Sequence, residues 1–388
     1  MFHNAALKRT ALSPHDWWLL WTCLALLSLG LVMVYSASVA VAETFNQNHN
    51  YYLIRHGMYL TIGLAGGYVM FQLPSDLWQK LAPPLFILGV VLLALVLLPV
   101  FGHEAKGGQR WIPLGALGKL QPSEFMKVFA ILYAADYTVR KAAHMDDIRK
   151  GFLPMFAVMV AVGTLLLMEP DFGAFVVIIT VALAVLFLGG LNWRLFVALM
   201  GLLIVAFVAL IRVAPYRMAR VASFWNPWDQ PLREDYQLSH SLIAFGRGEL
   251  TGVGLGSSVE KLHYLPEAHN DFLLAVIGEE LGLIGVAAVI GLFAWMVWRA
   301  FSIGWQAALM QRNFQALTAQ GIAVWLGVQG IINMGVNMGV LPTKGLTLPL
   351  MSYGGSALIA NCLALALLLR IDYENRRLMR GKAKGIGR

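Results

Sequence analysis

The sequence predicts an all-α, polytopic membrane protein, built as a bundle of ten transmembrane helices. Of its 388 residues, 59% are hydrophobic and only 13% are charged, whereas a soluble domain carries about 25% charged residues. Apolar runs of about 20 residues, the length that crosses a bilayer, recur along the chain. Lys and Arg are unevenly shared between the connections, as in membrane proteins whose basic loops stay in the cytoplasm.

Ten apolar runs are separated by breaks that carry Pro, Gly and charge. In chain order they are 17–39, 52–72, 82–101, 119–139, 152–168, 172–190, 194–213, 271–298, 315–338 and 352–371. The first run exceeds the apolar core of a cleavable signal peptide, about 7–15 residues. We therefore expect an uncleaved first helix, although Ala40-Val41-Ala42 resembles a cleavage site. Cys23 and Cys362 lie inside apolar runs and are expected to be packing residues rather than a disulfide.

The basic residues predict that both termini face the cytoplasm. With the N-terminus inside, the inside segments hold 17 of the 29 Lys and Arg residues, and the short outside loops hold five. Segment 214–270, between helices seven and eight, then becomes a large outer loop, and 373–388 becomes a basic cytoplasmic tail. The whole chain, 1–388, is expected to form a single transmembrane domain. The net charge of +8 is explained by these basic segments, and we find no nucleic-acid-binding motif.

Polar residues collect at the predicted outer face in four groups. The first joins Arg110, in Gly107-Gly108-Gln109-Arg110-Trp111-Ile112, to Glu124 and Lys127 of the next helix. Glu124 and Lys127 share one helix face, which predicts a neutralising ion pair or a polar site; intramembrane charge favours the site. The planar guanidinium of Arg110 suits a phosphate oxygen, with a plain interfacial role as the alternative.

The second and third groups flank the sixth and eighth predicted helices. In Glu169-Pro170-Asp171-Phe172-Gly173 we expect a tight turn in which Asp171 caps the following helix. The third group is the densest in ionisable residues and comprises Lys261, His263, Glu267, His269, Asp271, Glu279 and Glu280. Asp271 is either a helix cap or a general base at the lipid–water boundary. At least one of the two adjacent glutamates is expected to face the bundle interior, paired with a cation.

The fourth group combines Asn333 and Asn337 with a Pro- and Gly-rich segment that contains Lys344 and Ser352. Irregular backbone at membrane depth persists only where protein or water satisfies it. The segment is therefore a wall of the substrate site, with Lys344 near a pyrophosphate, or a packing loop with a snorkelling lysine. The third group does not have the spacing of a zinc site. A hard divalent cation, Mg²⁺ or Mn²⁺, that bridges phosphate oxygens stays open as a cofactor.

Together these motifs resemble the SEDS family of peptidoglycan polymerases over almost the whole chain. The resemblance rests on Gly-Gly-x-Arg-Trp-Ile, Gln-Pro-Ser-Glu-x-x-Lys, Pro-Asp-Phe-Gly, Tyr-Leu-Pro-Glu-Ala-His-x-Asp-Phe and Ser-Tyr-Gly-Gly-Ser. Segment 337–347 is more similar to the cell-division branch than to the elongation branch. Two positions depart from the pattern: Asn270, where Thr is frequent, and Glu169, where Gln is common.

The resemblance implies an inverting glycosyltransferase of the bacterial inner membrane that polymerises lipid II on the periplasmic side. Its essential aspartate maps onto Asp271, the expected general base. Expected substrate-binding residues are Arg110, Glu124, Lys127, Lys261, Glu267, His269, Lys344 and Ser352. Expected partners are the growing glycan strand, a class B penicillin-binding protein that acts as transpeptidase, other division proteins and membrane lipids. The rival interpretations are a lipid II flippase and a non-catalytic division scaffold.

Overall fold

The computed structural model describes residues 13–385, except 14, 47, 106–107, 116–117, 146, 214–217, 219–223, 225–227, 229–235 and 343–344. The described part is mostly helical. Its helices are α1 Trp17–Asn46, α2 Tyr51–Gln72, α3 Ser75–Val96, α4 Pro122–Arg140, α5 Leu153–Met168, α6 Phe172–Leu188, α7 Trp193–Val213, α8 Tyr236–Gly248, α9 Leu273–Leu309, α10 Asn313–Asn337 and α11 Gly355–Gly385. Its strands are β1 His103–Ala105, β2 Gly108–Pro113 and β3 Lys119–Leu120.

The protein is a multi-pass membrane protein. Each of the ten predicted spans falls on a helix, and in the described part of the chain seven helices are long and apolar enough to cross a membrane. The third helix begins at Ser75, seven residues before the predicted span at 82. The polar first turn of this helix is stabilised by hydrogen bonds to two other helices. Gln315 of α10 donates to Asp76 over 2.8 Å, and the Ser75 backbone amide donates to Glu374 of α11 over 3.0 Å.

A three-stranded antiparallel sheet in the order β1-β2-β3 lies between α3 and α4, which makes the all-α prediction incomplete. His103 pairs with Trp111, and Ile112 pairs with Leu120. These strands are two to six residues long and too short for a strand pattern to stand out in the sequence. We call the end of the bundle that carries them the sheet end.

The predicted outer loop contains one described helix, α8, and packs its glycines against α9. A Cβ atom built on Gly248 would lie 1.9 Å from the carbonyl oxygen of Gly278. A kink interrupts α9 at Gly282, where φ is 66° and ψ is −165°. A Cβ atom there would lie 2.4 Å from the backbone nitrogen of Gly252. The glycine run therefore permits close backbone packing against α9.

Small residues also join the first helices to the last part of the chain. A Cβ atom on Gly30 of α1 would lie 2.7 Å from the Cα atom of Met351, and one on Gly63 of α2 would lie 3.0 Å from the Cys362 sulfur. Cys23 and Cys362 are buried free thiols, in agreement with their expected packing role. These contacts place segment 339–354, which lies between α10 and α11, against α1. They also place α11 against α2.

At the end opposite the sheet, partly buried ion pairs tie the helix termini together. Arg299 pairs with Asp16, Arg376 pairs with Asp372 over 2.7 Å, and Arg312 pairs with Glu374. α11 continues through the predicted basic tail as far as Gly385. The beginning of that tail is therefore helical and partly buried, with Arg376 only 9% exposed.

Candidate active site

Asp271 lies in the turn that leads into α9 and is half-buried. Its backbone carbonyl accepts hydrogen bonds from the side-chain amides of Asn333 and Asn337, each over 2.9 Å. Asn337 also accepts from the Ala275 amide over 3.1 Å. The two asparagines of α10 thus fix the backbone from Asp271 to Ala275. Since α9 begins at Leu273, Asp271 lies two residues before the helix rather than in its first turn.

The Asp271 carboxylate lies against segment 339–354. A Cβ atom built on Gly345 would be 2.9 Å from Asp271 Oδ2, so the absence of a side chain there makes room for the carboxylate. On the other side of this segment, Gly173 at the start of α6 packs against Leu346, because a Cβ atom there would lie 2.8 Å from Leu346 Cδ2. Asn333 Nδ2 also donates to the Leu346 carbonyl over 2.6 Å.

Glu124 and Lys127 form a buried ion pair inside the bundle. Lys127 Nζ lies 2.8 Å from both carboxylate oxygens of Glu124, and the two residues are 2% and 6% exposed. Lys127 also donates to Gln329 Oε1 over 2.9 Å. Gln329 in turn donates to the Thr347 carbonyl over 2.9 Å. The pair therefore braces segment 339–354, the segment that contacts Asp271.

Three of the sequence motifs meet through Asp171. Its carboxylate accepts from Gln121 Nε2 over 3.0 Å, from Ser123 Oγ over 2.8 Å and from the Ala174 amide over 3.2 Å. The last bond is the helix cap that the sequence predicts. The backbone amide of Gln121 donates to Ser356 Oγ over 2.8 Å. The starts of α4, α6 and α11 are thus joined at the sheet end.

Arg110 on β2 reaches the turn between α5 and α6. Its Nε donates to the Glu169 carbonyl over 3.1 Å, and its NH2 group donates to the Pro170 carbonyl over 2.6 Å. Gly108 makes this arrangement feasible, because a Cβ atom there would lie 2.7 Å from Arg110 Nε. The Gly-x-Arg spacing thus lets the guanidinium fold back over its own strand.

Glu169 is fully buried in the same turn, and neither of its carboxylate oxygens has a hydrogen-bond partner among the described residues. The pKa of Glu169 is raised from its ordinary value to about 9, chiefly by burial and also by the nearby charge of Asp171, while Arg110 opposes the shift. The sequence indicates only a turn here; the unpaired carboxyl follows from the tertiary packing.

Lys261 holds the end of the outer loop inside the bundle. Its Nζ donates to Glu280 over 2.7 Å, to Ser36 over 3.0 Å and to the Gly256 carbonyl over 2.7 Å. An ammonium group has three N–H donors, so these contacts account for all of them. Glu279 pairs with Arg247 over 2.7 Å. Both glutamates face the interior with a cation, as the sequence predicts for at least one of them.

The remaining predicted substrate-binding residues have different environments. Glu267 accepts from the Asn270 side chain over 3.3 Å in the turn before Asp271. Ser352 is 3% exposed, and its hydroxyl accepts from the Leu348 amide over 2.9 Å, which closes a turn within segment 339–354. Lys344 lies outside the described residues.

An aromatic cluster beside the site was not identified from the sequence. The ring of Tyr52 lies 4.6 Å from that of His269 and 5.1 Å from that of Tyr353, between centroids. Arg55 lies 4.8 Å above the Tyr51 ring, at the sheet end of α2. Burial holds the pKa of Tyr353 above its ordinary value. The adjacent Tyr51 and Tyr52 were the only available sequence signal, and tyrosines are frequent at membrane interfaces in any case.

No group of three or more His, Cys, Asp or Glu side chains in the described part of the chain is arranged to hold a metal ion. A divalent cation at this site would draw ligands from phosphate oxygens or from few protein groups. The contacts above connect the four sequence groups, three of them through segment 339–354, which also contacts Asp271.

Comparison with known proteins identifies the family. Residues 17–377 match the model of the cell cycle protein family that includes FtsW, RodA and SpoVE. The chain belongs to this family. The match covers most of the chain, and it confirms the resemblance to membrane peptidoglycan polymerases that the motifs predict.

Two relatives in the family carry the same description. The chain is 59% identical over 367 residues to the probable peptidoglycan glycosyltransferase FtsW of Aromatoleum aromaticum, covering 94% of this chain and 89% of that protein. It is 52% identical over 384 residues to the FtsW of Burkholderia thailandensis, with coverages of 98% and 83%. The FtsW name agrees with the expected cell-division branch.

Two solved structures share the fold. One is a chain of a peptidoglycan synthase complex that coordinates polymerization and crosslinking, with a TM-score of 0.75, 30% identity and coverages of 93% and 98%. The other is the rod shape determining protein RodA of Thermus thermophilus, with a TM-score of 0.67, 27% identity and coverages of 93% and 97%.

Proposed function

We propose that this protein is a peptidoglycan glycosyltransferase that polymerises lipid II into glycan strands during cell division, with Asp271 as general base. The family, and relatives that bear the name peptidoglycan glycosyltransferase, support the activity. The observation that carries the assignment of the base is the position of Asp271. Its backbone is pinned by Asn333 and Asn337, while its half-buried carboxylate lies against Gly345.

For the topology, we propose ten membrane spans with both termini in the cytoplasm of a bacterial cell. The spans are α1 to α7 and α9 to α11, and α8 belongs to the large periplasmic loop between the seventh and eighth spans. The distribution of Lys and Arg supports this orientation. It puts the sheet end and Asp271 on the periplasmic side of the inner membrane, where lipid II is polymerised.

In the proposed reaction, the 4-hydroxyl of the N-acetylglucosamine of lipid II attacks C1 of the donor strand. The C1–O bond to the undecaprenyl pyrophosphate breaks as the new bond forms, so the α-linkage becomes a β-1,4 linkage. The Asp271 carboxylate accepts the hydroxyl proton, and the pyrophosphate leaves with the bonding electrons. General-base catalysis of this kind contributes about 10²–10⁴-fold in rate.

Charge on the departing pyrophosphate requires cationic donors. Arg110 suits this role, because its described partners are two backbone carbonyls and leave its charge uncompensated. Lys344 directly precedes Gly345 in the sequence, the residue that lies against the Asp271 carboxylate, and is the second candidate. Lys127 and Lys261 are engaged in buried ion pairs, which supports a positioning role for both. A Mg²⁺ or Mn²⁺ ion would neutralise pyrophosphate charge when bound.

Two prenyl tails must be held while the sugars react, because positioning supplies a large part of the rate. An apolar cavity of about 490 Å³ lies between α5, α6 and α7. Phe156, Phe175 and Leu203 line it, from one helix each. α5 and α6 meet at the turn that binds Arg110, so a tail in this cavity would place its pyrophosphate near the guanidinium.

We also propose that the protein acts with a class B penicillin-binding protein, which crosslinks the strands. One structural relative belongs to a complex that coordinates polymerization and crosslinking. That relative covers 93% of this chain with a TM-score of 0.75, and this similarity supports a comparable assembly.

The deciding experiment is polymerisation of lipid II in liposomes by the purified protein, with and without its transpeptidase partner. We expect long glycan strands from the wild type and from Asp147→Asn, an exposed control at the opposite end. We expect strand synthesis to fall at least about 100-fold in Asp271→Asn. Normal synthesis by a folded Asp271→Asn protein would refute the base assignment. Transfer of lipid II between leaflets without any polymer would identify a flippase instead.

A further inference from the structure

Glu169 is a buried carboxyl that the proposed mechanism does not use. It is 0% exposed, and within the part of the chain that the structure describes, both carboxylate oxygens lack a hydrogen-bond donor. An ionised carboxylate is an acceptor that normally finds donors when it is buried. Taking such a charge out of water without a partner costs several kcal/mol, and the group normally binds a proton instead. The environment of Glu169 is therefore that of a neutral acid.

The neighbouring carboxylate behaves differently. Asp171, two residues later, accepts three hydrogen bonds, from Gln121, Ser123 and the Ala174 amide. These donors stabilise a negative charge on Asp171. A second negative charge on Glu169 would be repelled by it. Within this turn, the Asp171 carboxylate therefore has hydrogen-bond donors, whereas the Glu169 carboxyl has none among the described residues.

Arg110 is the cation that could neutralise Glu169, yet it does not bond to the carboxylate. Its guanidinium donates to the backbone carbonyls of Glu169 and Pro170. Within the described residues, Arg110 forms no ion pair with a carboxylate. Carbonyl oxygens orient the guanidinium without cancelling its charge, so Arg110 keeps a full positive charge at the sheet end.

We propose that Glu169 is a positioning residue that works as a neutral carboxylic acid, which leaves the Arg110 guanidinium free to bind the pyrophosphate of the lipid-linked donor. This inference rests on the proposed function and names the ligand class of Arg110. If Glu169 were ionised, its carboxylate would compete with the pyrophosphate for the same guanidinium. A glutamine at this position would be the permanently neutral equivalent, since it has nearly the same shape.

Because Glu169 must stay neutral, binding of the donor should depend on pH. Among the described residues, the charged groups that act on Glu169 are Asp171, which caps α6, and Arg110 on β2; Gln121 and Ser123 at the start of α4 are neutral. Burial raises the pKa of Glu169 to about 9. Donor binding should therefore weaken as the pH rises through about 9, and Glu169→Gln should remove this dependence.

The first test is independent of activity. In protein labelled with ¹³C-glutamate, infrared spectroscopy at neutral pH should show a protonated carboxyl band that is lost on titration to alkaline pH. The band should be absent from Glu169→Gln and present in Glu374→Gln, a control for an ion-paired glutamate at the opposite end. Absence of the band from the wild-type protein would overturn the proposal, even if the variants do not fold.

The second test is the KM for the donor, a short glycan strand on undecaprenyl pyrophosphate, measured at saturating lipid II from neutral pH to about pH 10 in the wild type and in Glu169→Gln. We expect KM to rise about tenfold or more in the wild type, equivalent to about 1.4 kcal/mol of binding, while kcat changes less. We expect a flat profile in Glu169→Gln. Identical profiles would overturn the role of Glu169 and leave the glycosyltransferase intact. Absence of polymer from both proteins at every pH would overturn the proposed function itself.

Discussion

Lys261 Nζ lies 2.7 Å from Glu280 Oε1 inside the bundle and joins the end of the outer loop to α9. One helical position away, Glu279 pairs with Arg247, whose side chain is 42% exposed. The two pairs therefore offer a direct comparison between a buried cation and a partly exposed one on adjacent glutamates.

We predict that Lys261→Met destabilises the protein far more than Arg247→Met. Removing one partner of a buried pair costs about 3–5 kcal/mol, whereas a partly exposed pair contributes about 0–1 kcal/mol. Glu279 also keeps the Val259 amide as a donor, over 2.9 Å. Thermal unfolding in detergent would measure both variants. Equal losses would show that Lys261 is not the anchor of the loop.

The pair formed by Glu124 and Lys127 makes a separate prediction. Lys127→Met should destabilise the fold by about 3–5 kcal/mol, because it leaves Glu124 charged and buried. The double variant Glu124→Gln/Lys127→Met should recover most of that loss. Strand synthesis should not recover, because Lys127 also holds Gln329 and, through it, Thr347. Recovery of both stability and synthesis would reduce the pair to a packing element.

The asparagines of α10 should control the placement of Asp271. Asn333→Ala and Asn337→Ala each remove one donor from the Asp271 carbonyl, and an unsatisfied buried group costs about 1–3 kcal/mol. We expect kcat to fall while KM changes little, because the base is misplaced. Gln320→Ala, on the same helix, is the control. A change in KM alone would indicate that the asparagines contact substrate.

The raised pKa of Glu169 predicts how stability depends on pH. Below its ordinary pKa, both the folded and unfolded states carry a protonated Glu169, and its full contribution to stability is present. Between that value and about 9, only the folded state keeps the proton, so stability falls with pH, at most about 1.4 kcal/mol per unit. Glu169→Gln should show a shallower decline in unfolding temperature across this window. Parallel declines in the two proteins would contradict the buried neutral acid.

Gly282 tests the kink in α9. Its φ of 66° and the 2.4 Å approach to the Gly252 nitrogen leave no room for a side chain. Gly282→Ala should therefore lower stability and loosen the loop. Gly291→Ala, in the same helix with open space around it, should be neutral or stabilising by about 0.5–1 kcal/mol. Protease sensitivity of the loop provides the measurement, and an unchanged loop in Gly282→Ala would contradict this packing.

The sequence predicted the helices and supplied candidate residues for the site, because both rest on local signals. Apolar runs locate spans regardless of tertiary contacts, and ionisable residues stand out against an apolar chain. The hydrogen bonds that connect the four groups could not be predicted from local signals. That Gln121 and Ser123 bind Asp171, or that Lys127 supports Thr347 through Gln329, depends on how distant helices pack. The role of Lys344 as a pyrophosphate ligand stays a prediction.

The sheet, helix α8 and the cluster around Tyr353 were missed for a related reason. The strands are short, and α8 lies in a segment whose glycines and charges indicate a loop. Aromatic rings at a membrane face are common whether or not they adjoin a site. Only the proximity of Tyr52 and His269 in the fold makes those rings relevant to Asp271.

The contact between Gly30 and Met351 has a consequence for biosynthesis. α1 leaves the ribosome long before Met351, because helices α2 to α10 lie between them in the chain. The surface of α1 around Gly30 must therefore stay open to lipid, or to an insertion factor, while those helices are made. A larger residue at position 30 would allow every helix to insert and would block only the final closure. Such a protein would accumulate in the membrane with the right number of spans and an unfinished catalytic centre.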